Sequence, residues 1–162
     1  MHNSNDPNLE VRSDEQRVVI NGAGGLVKGF VQLEKGITVQ DLQRHRNGLC
    51  LSTLRLRPLG SGSYEEISTE AAKAVFFVSS FEGERDRKDL RFHQDSPVHD
   101  GVWVQVEFVD GEIMEGILRN SVDYLRESAL LLLPTDPGGN NQLVYVPKTS
   151  IKDFRVLGVR AI

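Results

Sequence analysis

The chain has 162 residues, 19 Lys and Arg against 23 Asp and Glu for a formal charge of −4, and a hydrophobic fraction of 39%. That length and apolar content suit one ordinary domain or two very small ones with a modest core, and the negative sign is wrong for a protein whose main work is neutralising phosphates, leaving room only for a local basic patch. A single cysteine, Cys50, excludes an intramolecular disulfide and a Cys-based metal cluster, which fits a reducing compartment.

The first thirteen residues are polar, with no apolar h-region and no cleavage-site pattern, so they read as a flexible N-terminus rather than a signal peptide or anchor. No run approaches the length needed to span a bilayer, and a soluble, cytoplasmic protein is expected. Val18 and Ile20 then open a strand that enters the turn NGAGG, and a second strand carries Val27, Gly29 and Val31. Residues of about 32 to 49 read as an insertion, expected as a long hairpin, with a short helix as its alternative, and with an apolar tip around Ile37, Val39 and Leu42; Cys50 just beyond it reads as a small buried apolar residue. Leu54 and Leu56 precede Pro58 and a GSGS loop, a short strand runs from Tyr64 to Ile67, and KAVFFV at 73–78 ends the first half. Residues 79–101, with mixed charge and few apolar side chains, read as a surface linker.

In the second half Val104, Val106 and Phe108 alternate with polar residues up to the turn Asp110-Gly111, and Met114, Gly116 and Leu118 share one face of the returning strand. Leu130 and Leu132 precede Pro134 and a DPGGNN loop; a short strand at 143–146 and KDFRVL at 152–157 follow. Each feature matches one in the first half in order, the first half carrying eleven more residues between Gly29 and Pro58 than lie between Gly116 and Pro134, and Gly24 and Gly29 stand to the first turn as Gly111 and Gly116 stand to the second. A glycine inside a strand costs stability unless the strand bends sharply or another backbone comes close, and a small closed barrel demands that bend. The expected fold is therefore all-β: two tandem five-stranded, strongly bent antiparallel small barrels over 14–78 and 102–162.

The second half resembles the Sm-like small barrel: an alternating strand, an Asp-Gly turn, a Gly five residues on, then an Asp, here Asp123. The chain as a whole is similar to uncharacterised bacterial proteins with two such units in tandem, joined at a sequence like KAVFFVSSFEGE and with an Asn-Asn loop ahead of a VYV strand. Turn and core positions carry these resemblances, and such positions imply a fold, not a ligand. Sm-like proteins that bind RNA place an Asn before the third strand and a basic-Gly pair after the fourth; here those places read DYLRES, 123–128, and VPKTS, 146–150.

Catalytic chemistry finds no foothold. Gly22-x-Gly24 follows a strand, but Leu26 to Leu33 reads as strand where a dinucleotide-binding loop needs a helix. His93, His99 and Asp100 sit in the linker without a fourth partner, neighbouring Glu65 and Glu66 point to opposite faces, and Ser61, Ser63 and Ser68 lack a placed His and acid. The mixed-charge run ERDRK at 84–88 reads as solvated linker, with docking of an acidic partner as its alternative. Neither a catalytic residue, a cofactor nor a metal is expected. The reading is a non-catalytic protein-interaction module in regulation or assembly, with Ile37, Val39, Leu42, Arg44, Arg46, Tyr124 and Arg126 as partner contacts. The alternative is Sm-like RNA binding through Arg44, His45, Arg46, Arg55 and Arg57 together with Tyr124 and Arg126. The partner's identity and the oligomeric state are left open.

Overall fold

In the computed structural model, which describes residues 6–33, 37–44, 51–82, 101–135 and 139–160, the period-two segments become strands. The first half gives β1 (Glu15–Gly22), β2 (Gly25–Gln32), β3 (Thr53–Pro58), β4 (Glu65–Ser68) and β5 (Ala74–Val78), with helix α1 (Val39–Arg44) between β2 and β3. The second gives β6 (Gly101–Phe108), β7 (Ile113–Leu118), β8 (Ala129–Pro134), β9 (Asn141–Pro147) and β10 (Ile151–Arg160), with helix α2 (Asp123–Arg126) between β7 and β8. No helix among the described residues is long and apolar enough to cross a membrane.

The two halves have the same wiring. Strand order is β5-β1-β2-β3-β4 in one and β10-β6-β7-β8-β9 in the other. Registers agree residue by residue: Val18 faces Gly29 as Val104 faces Gly116, and those glycines face Pro58 and Pro134. Both glycines sit where a neighbouring strand comes close. A Cβ on Gly29 would stand 2.7 Å from the Arg57 carbonyl, and one on Gly116 would stand 2.9 Å from Leu132 Cβ.

The halves are not closed off from one another, however. All ten strands belong to one open antiparallel sheet, β10-β6-β7-β8-β9-β5-β1-β2-β3-β4, joined by Val75, Phe76 and Phe77 of β5 pairing with Tyr145, Val144 and Leu143 of β9. The reason lies in β5 itself. AVFFV is apolar on both faces, and a strand of that kind is stable only when both are covered. Val75 and Phe77 enter a first core with Val18, Ile20, Leu54 and Leu56, while Ala74 and Phe76 meet a second core built on Val104, Val106, Leu130 and Leu132. β9 reciprocates: Leu143 and Tyr145 complete the first core, Val144 and Val146 the second.

Polar contacts lock this joint. Asn140 accepts from the Ser79 and Ser80 amides, at 2.9 Å each, and donates to the Ser80 carbonyl. Gln16 donates to the Val78 carbonyl and to Gln142, both at 3.1 Å. Lys73 Nζ reaches Asp110 at 2.7 Å and Glu112 at 3.1 Å. The two serines that open the SSFEGE junction and the first asparagine of the Asn-Asn loop are thus two sides of one contact.

Two local expectations change. The insertion is not a hairpin at its centre: Val39–Arg44 is helical. Thr38 and Asp41 cap it reciprocally, the Thr38 amide donating to Asp41 Oδ2 at 2.9 Å and the Asp41 amide to Thr38 Oγ1 at 3.2 Å. Val39 and Leu42, one turn apart, drop into the first core. The first turn is also tighter than expected. Gly22 pairs with Gly25 around Ala23-Gly24, and Gly25, not Gly24, takes the positive φ of 114° that in the second turn falls on Gly111 at 93°.

Candidate interaction surface

An open sheet has two ends, here β4 and β10. Natural sheets blunt their edges with short strands and charge. β4 does so, with four residues and exposed Glu65 and Glu66. β10 does so only in its first half, where Lys152, Asp153 and Arg155 are exposed; it runs ten residues and leaves Val156, Leu157 and Val159 exposed at 52%, 47% and 65%. The repeat shows how far this departs from the covered case. By register against β1 and β6, Val156 is the counterpart of Phe77, which on β5 is 0% exposed under β9.

A pocket of about 260 Å³ opens beside this edge, lined by Tyr124, Leu125, Leu130, Lys148, Ile151 and Phe154. Its walls follow from the fold. Leu130 and Phe154 point toward the second core from β8 and β10; their counterparts Leu54 and Val75 lie buried in the first core, against the cluster that contains Val39 and Leu42 of α1. α2 occupies the same chain position as α1 but is only four residues long, and the corresponding space stays open. Tyr124 stacks on Phe154 with ring centroids 6.4 Å apart, and Lys148 Nζ donates to the Tyr124 carbonyl at 2.6 Å, pinning α2 to the turn after β9. The result is an apolar pocket of side-chain size with one cation on its wall, continuous through Phe154 with an uncovered strand.

Of the residues expected to touch a partner, Tyr124 lines this pocket and Arg126 is exposed at the end of α2. Ile37 is exposed at 38%, but Val39 and Leu42 are buried core residues and offer a partner nothing. They face inward because the helix turns them both toward β9. Arg44 ends α1; His45, Arg46 and Cys50 lie outside the described residues, as do His93, His99, Asp100 and the run at 84–88.

Arg57 leaves the expected basic cluster altogether. It is fully buried, its Nε and Nη2 forking onto the two Glu15 oxygens at 2.9 and 2.7 Å. Its remaining hydrogens go to the carbonyls of Asn8, Glu10 and Ser61, so the guanidinium ties the N-terminal segment and the loop after β3 to the sheet. Tyr64 also donates to Glu15. Burial by itself pushes the Glu15 carboxyl up, but hydrogen bonds from Arg57, Tyr64 and the Arg12 amide outweigh it and hold the group at about 2. This is a structural clamp: every donor and acceptor is consumed by the chain itself. Among the described residues no group of three or more His, Cys, Asp or Glu gathers as metal ligands would.

Reading the sequence alone missed Leu125, Lys148, Ile151 and the outer face of β10. A signal was present: VLGV at 156–159 is apolar without alternation, as AVFFV is at 74–78, and such a strand wants cover on both faces. No curated protein and no solved structure matches this chain. A family model described as a family of unknown function, DUF6982, matches residues 14–158, and the chain belongs to that family.

Proposed function

We propose that this member of the family is a non-catalytic protein-interaction module serving regulation or assembly, built from two strongly bent small barrels of the Sm-like kind fused through β5 and β9. Its docking surface is the free edge of β10 with the adjoining pocket: a partner adds a strand to the edge and seats an apolar side chain among Tyr124, Leu125, Ile151 and Phe154. The observation that carries this reading is the contrast between Val156, half exposed, and its counterpart Phe77, which is buried where β9 lies beside β5.

Leu125 is 69% exposed, so Leu125→Glu leaves the core intact while placing a charge at the pocket mouth. Affinity capture from native extract with the parent chain should recover a protein at near-stoichiometric yield, and Leu125→Glu should lose it. Recovery of nothing above background, or equal recovery by both chains, would defeat the proposal. A fluorescence-polarisation titration with single-stranded RNA at low salt separates the alternative, because phosphate contacts weaken steeply as salt rises. With Arg57 withdrawn into its clamp, no saturable binding is expected at micromolar protein.

A further inference from the structure

The chain already contains one example of the contact its edges lack. At the internal joint β5 lies antiparallel to β9, with Val75, Phe76 and Phe77 facing Tyr145, Val144 and Leu143. Within the repeat, β10 is the counterpart of β5, since Phe154 and Val156 face Val106 and Val104 as Val75 and Phe77 face Ile20 and Val18. Likewise β4 is the counterpart of β9: Glu65 faces Leu56 as Val144 faces Leu132. The two strands that end the sheet are therefore the two halves of a joint of the kind that holds it together.

We propose that the partner of the β10 surface is a second copy of this chain, whose β4 pairs antiparallel with β10 in the register of the internal β5–β9 joint. This rests on the docking surface proposed above and names its occupant. Transferring the register sets Phe154 opposite Glu66, Arg155 opposite Glu65, and Val156 opposite Tyr64.

Charge agrees with that alignment. Arg155 is 71% exposed, with a 3.3 Å contact to Asp153 on its own strand, and Glu65 is exposed on the other edge. A pair of opposite charges directly across an antiparallel ladder is favourable, whereas β4 against another β4 brings the like charges of Glu65 and Glu66 together. Glu66, opposite Phe154, arrives on the side of the pocket whose wall carries Lys148. The polar register also fits a reversible contact between folded chains, in contrast to the apolar internal one. A head-to-tail contact leaves a free β4 and a free β10 at its ends, so copies add until the assembly closes on itself or runs out of protein.

The experiment is light scattering on size-separated full-length chain over a range of concentrations up to hundreds of micromolar, at low and high salt, with Glu65→Arg, Arg155→Glu and the double variant. The parent should rise above the 18.1 kDa monomer with concentration, less so at high salt. Each single variant should weaken association roughly tenfold or more by setting like charges opposite one another, and the double variant should recover it. Both positions are exposed, and unchanged circular dichroism confirms that the variants fold. A parent that stays at 18.1 kDa throughout, association untouched by either single change, or a double variant no better than the singles would each overturn the proposal. If the parent stays monomeric while Leu125→Glu still abolishes capture of another protein, the second copy is wrong and the docking surface stands. A monomer that captures nothing removes both.

Discussion

Glu15, Arg57 and Tyr64 show how a charged residue serves the fold. Breaking a buried pair by removing one partner strands the other, at a cost of about 3 to 5 kcal/mol. Because the Glu15 carboxyl sits at about 2 in the folded chain against an ordinary 4.5, the folded state favours its ionised form. The stability it contributes is complete above the ordinary value and is lost as pH falls from there toward 2; the difference corresponds to about 3 kcal/mol. Urea unfolding of the parent and Glu15→Gln at several pH values should show the variant less stable at neutral pH, with the gap narrowing as pH falls through that window. Parallel profiles would show that Glu15 does not carry this effect. Little of this was legible in the sequence. Arg57 follows Leu54 and Leu56 with a strand's alternation only if it points outward, and its partner lies 42 residues away. What turns it into a buried residue is the N-terminal segment folding over it, a contact no local pattern announces.

Among the strands, β7 makes a sharp demand on its sequence. Gly116 packs against Leu132 Cβ and the Leu133 carbonyl so closely that any side chain must push β8 away. Gly116→Val should cost roughly 1 to 4 kcal/mol, whereas Glu115→Val, on the opposite face and opposite Gln105, should change little. Thermal melts decide: β-propensity alone predicts that Val at 116 helps, and a variant as stable as the parent would remove close approach as the reason for the glycine. Strand positions and this glycine were readable because period-two alternation and Gly placement are local signals. α1 was misread for an instructive reason. Thr38-x-x-Asp41 is a helix-start pattern, but Ile37, Thr38 and Val39 are β-branched and favour strand, and only the first core, which takes Val39 and Leu42, settles the contest.

At the scale of the whole molecule, the duplication was legible and the joint was not. Five strands in each half were readable in chain order, yet they form one open sheet rather than two closed units, and nothing in AVFFV names β9 as the strand that covers it. Shared cores have a thermodynamic consequence. Leu143 belongs to the second half in sequence and to the first core in space, so neither half can lose its packing without exposing the other. Trp103, the only tryptophan, sits on β6 and reports the second half by fluorescence, while far-ultraviolet circular dichroism reports both. The two melts should coincide in one transition, and Leu143→Ala should shift both together with a loss of about 2 to 5 kcal/mol. A biphasic melt in which Trp103 and the dichroism part company would show two independent units instead.

That same joint sets a timetable for the nascent chain. Translation delivers β5 long before β9, because residues 79–140 must be made in between. Until the ribosome has released Leu143 and Tyr145, the first core stands open along Val75 and Phe77. A strand bare on one side is a template for any neighbouring chain, so the most hazardous moment in this protein's life falls during its synthesis, when the strand built to be covered has not yet met its cover.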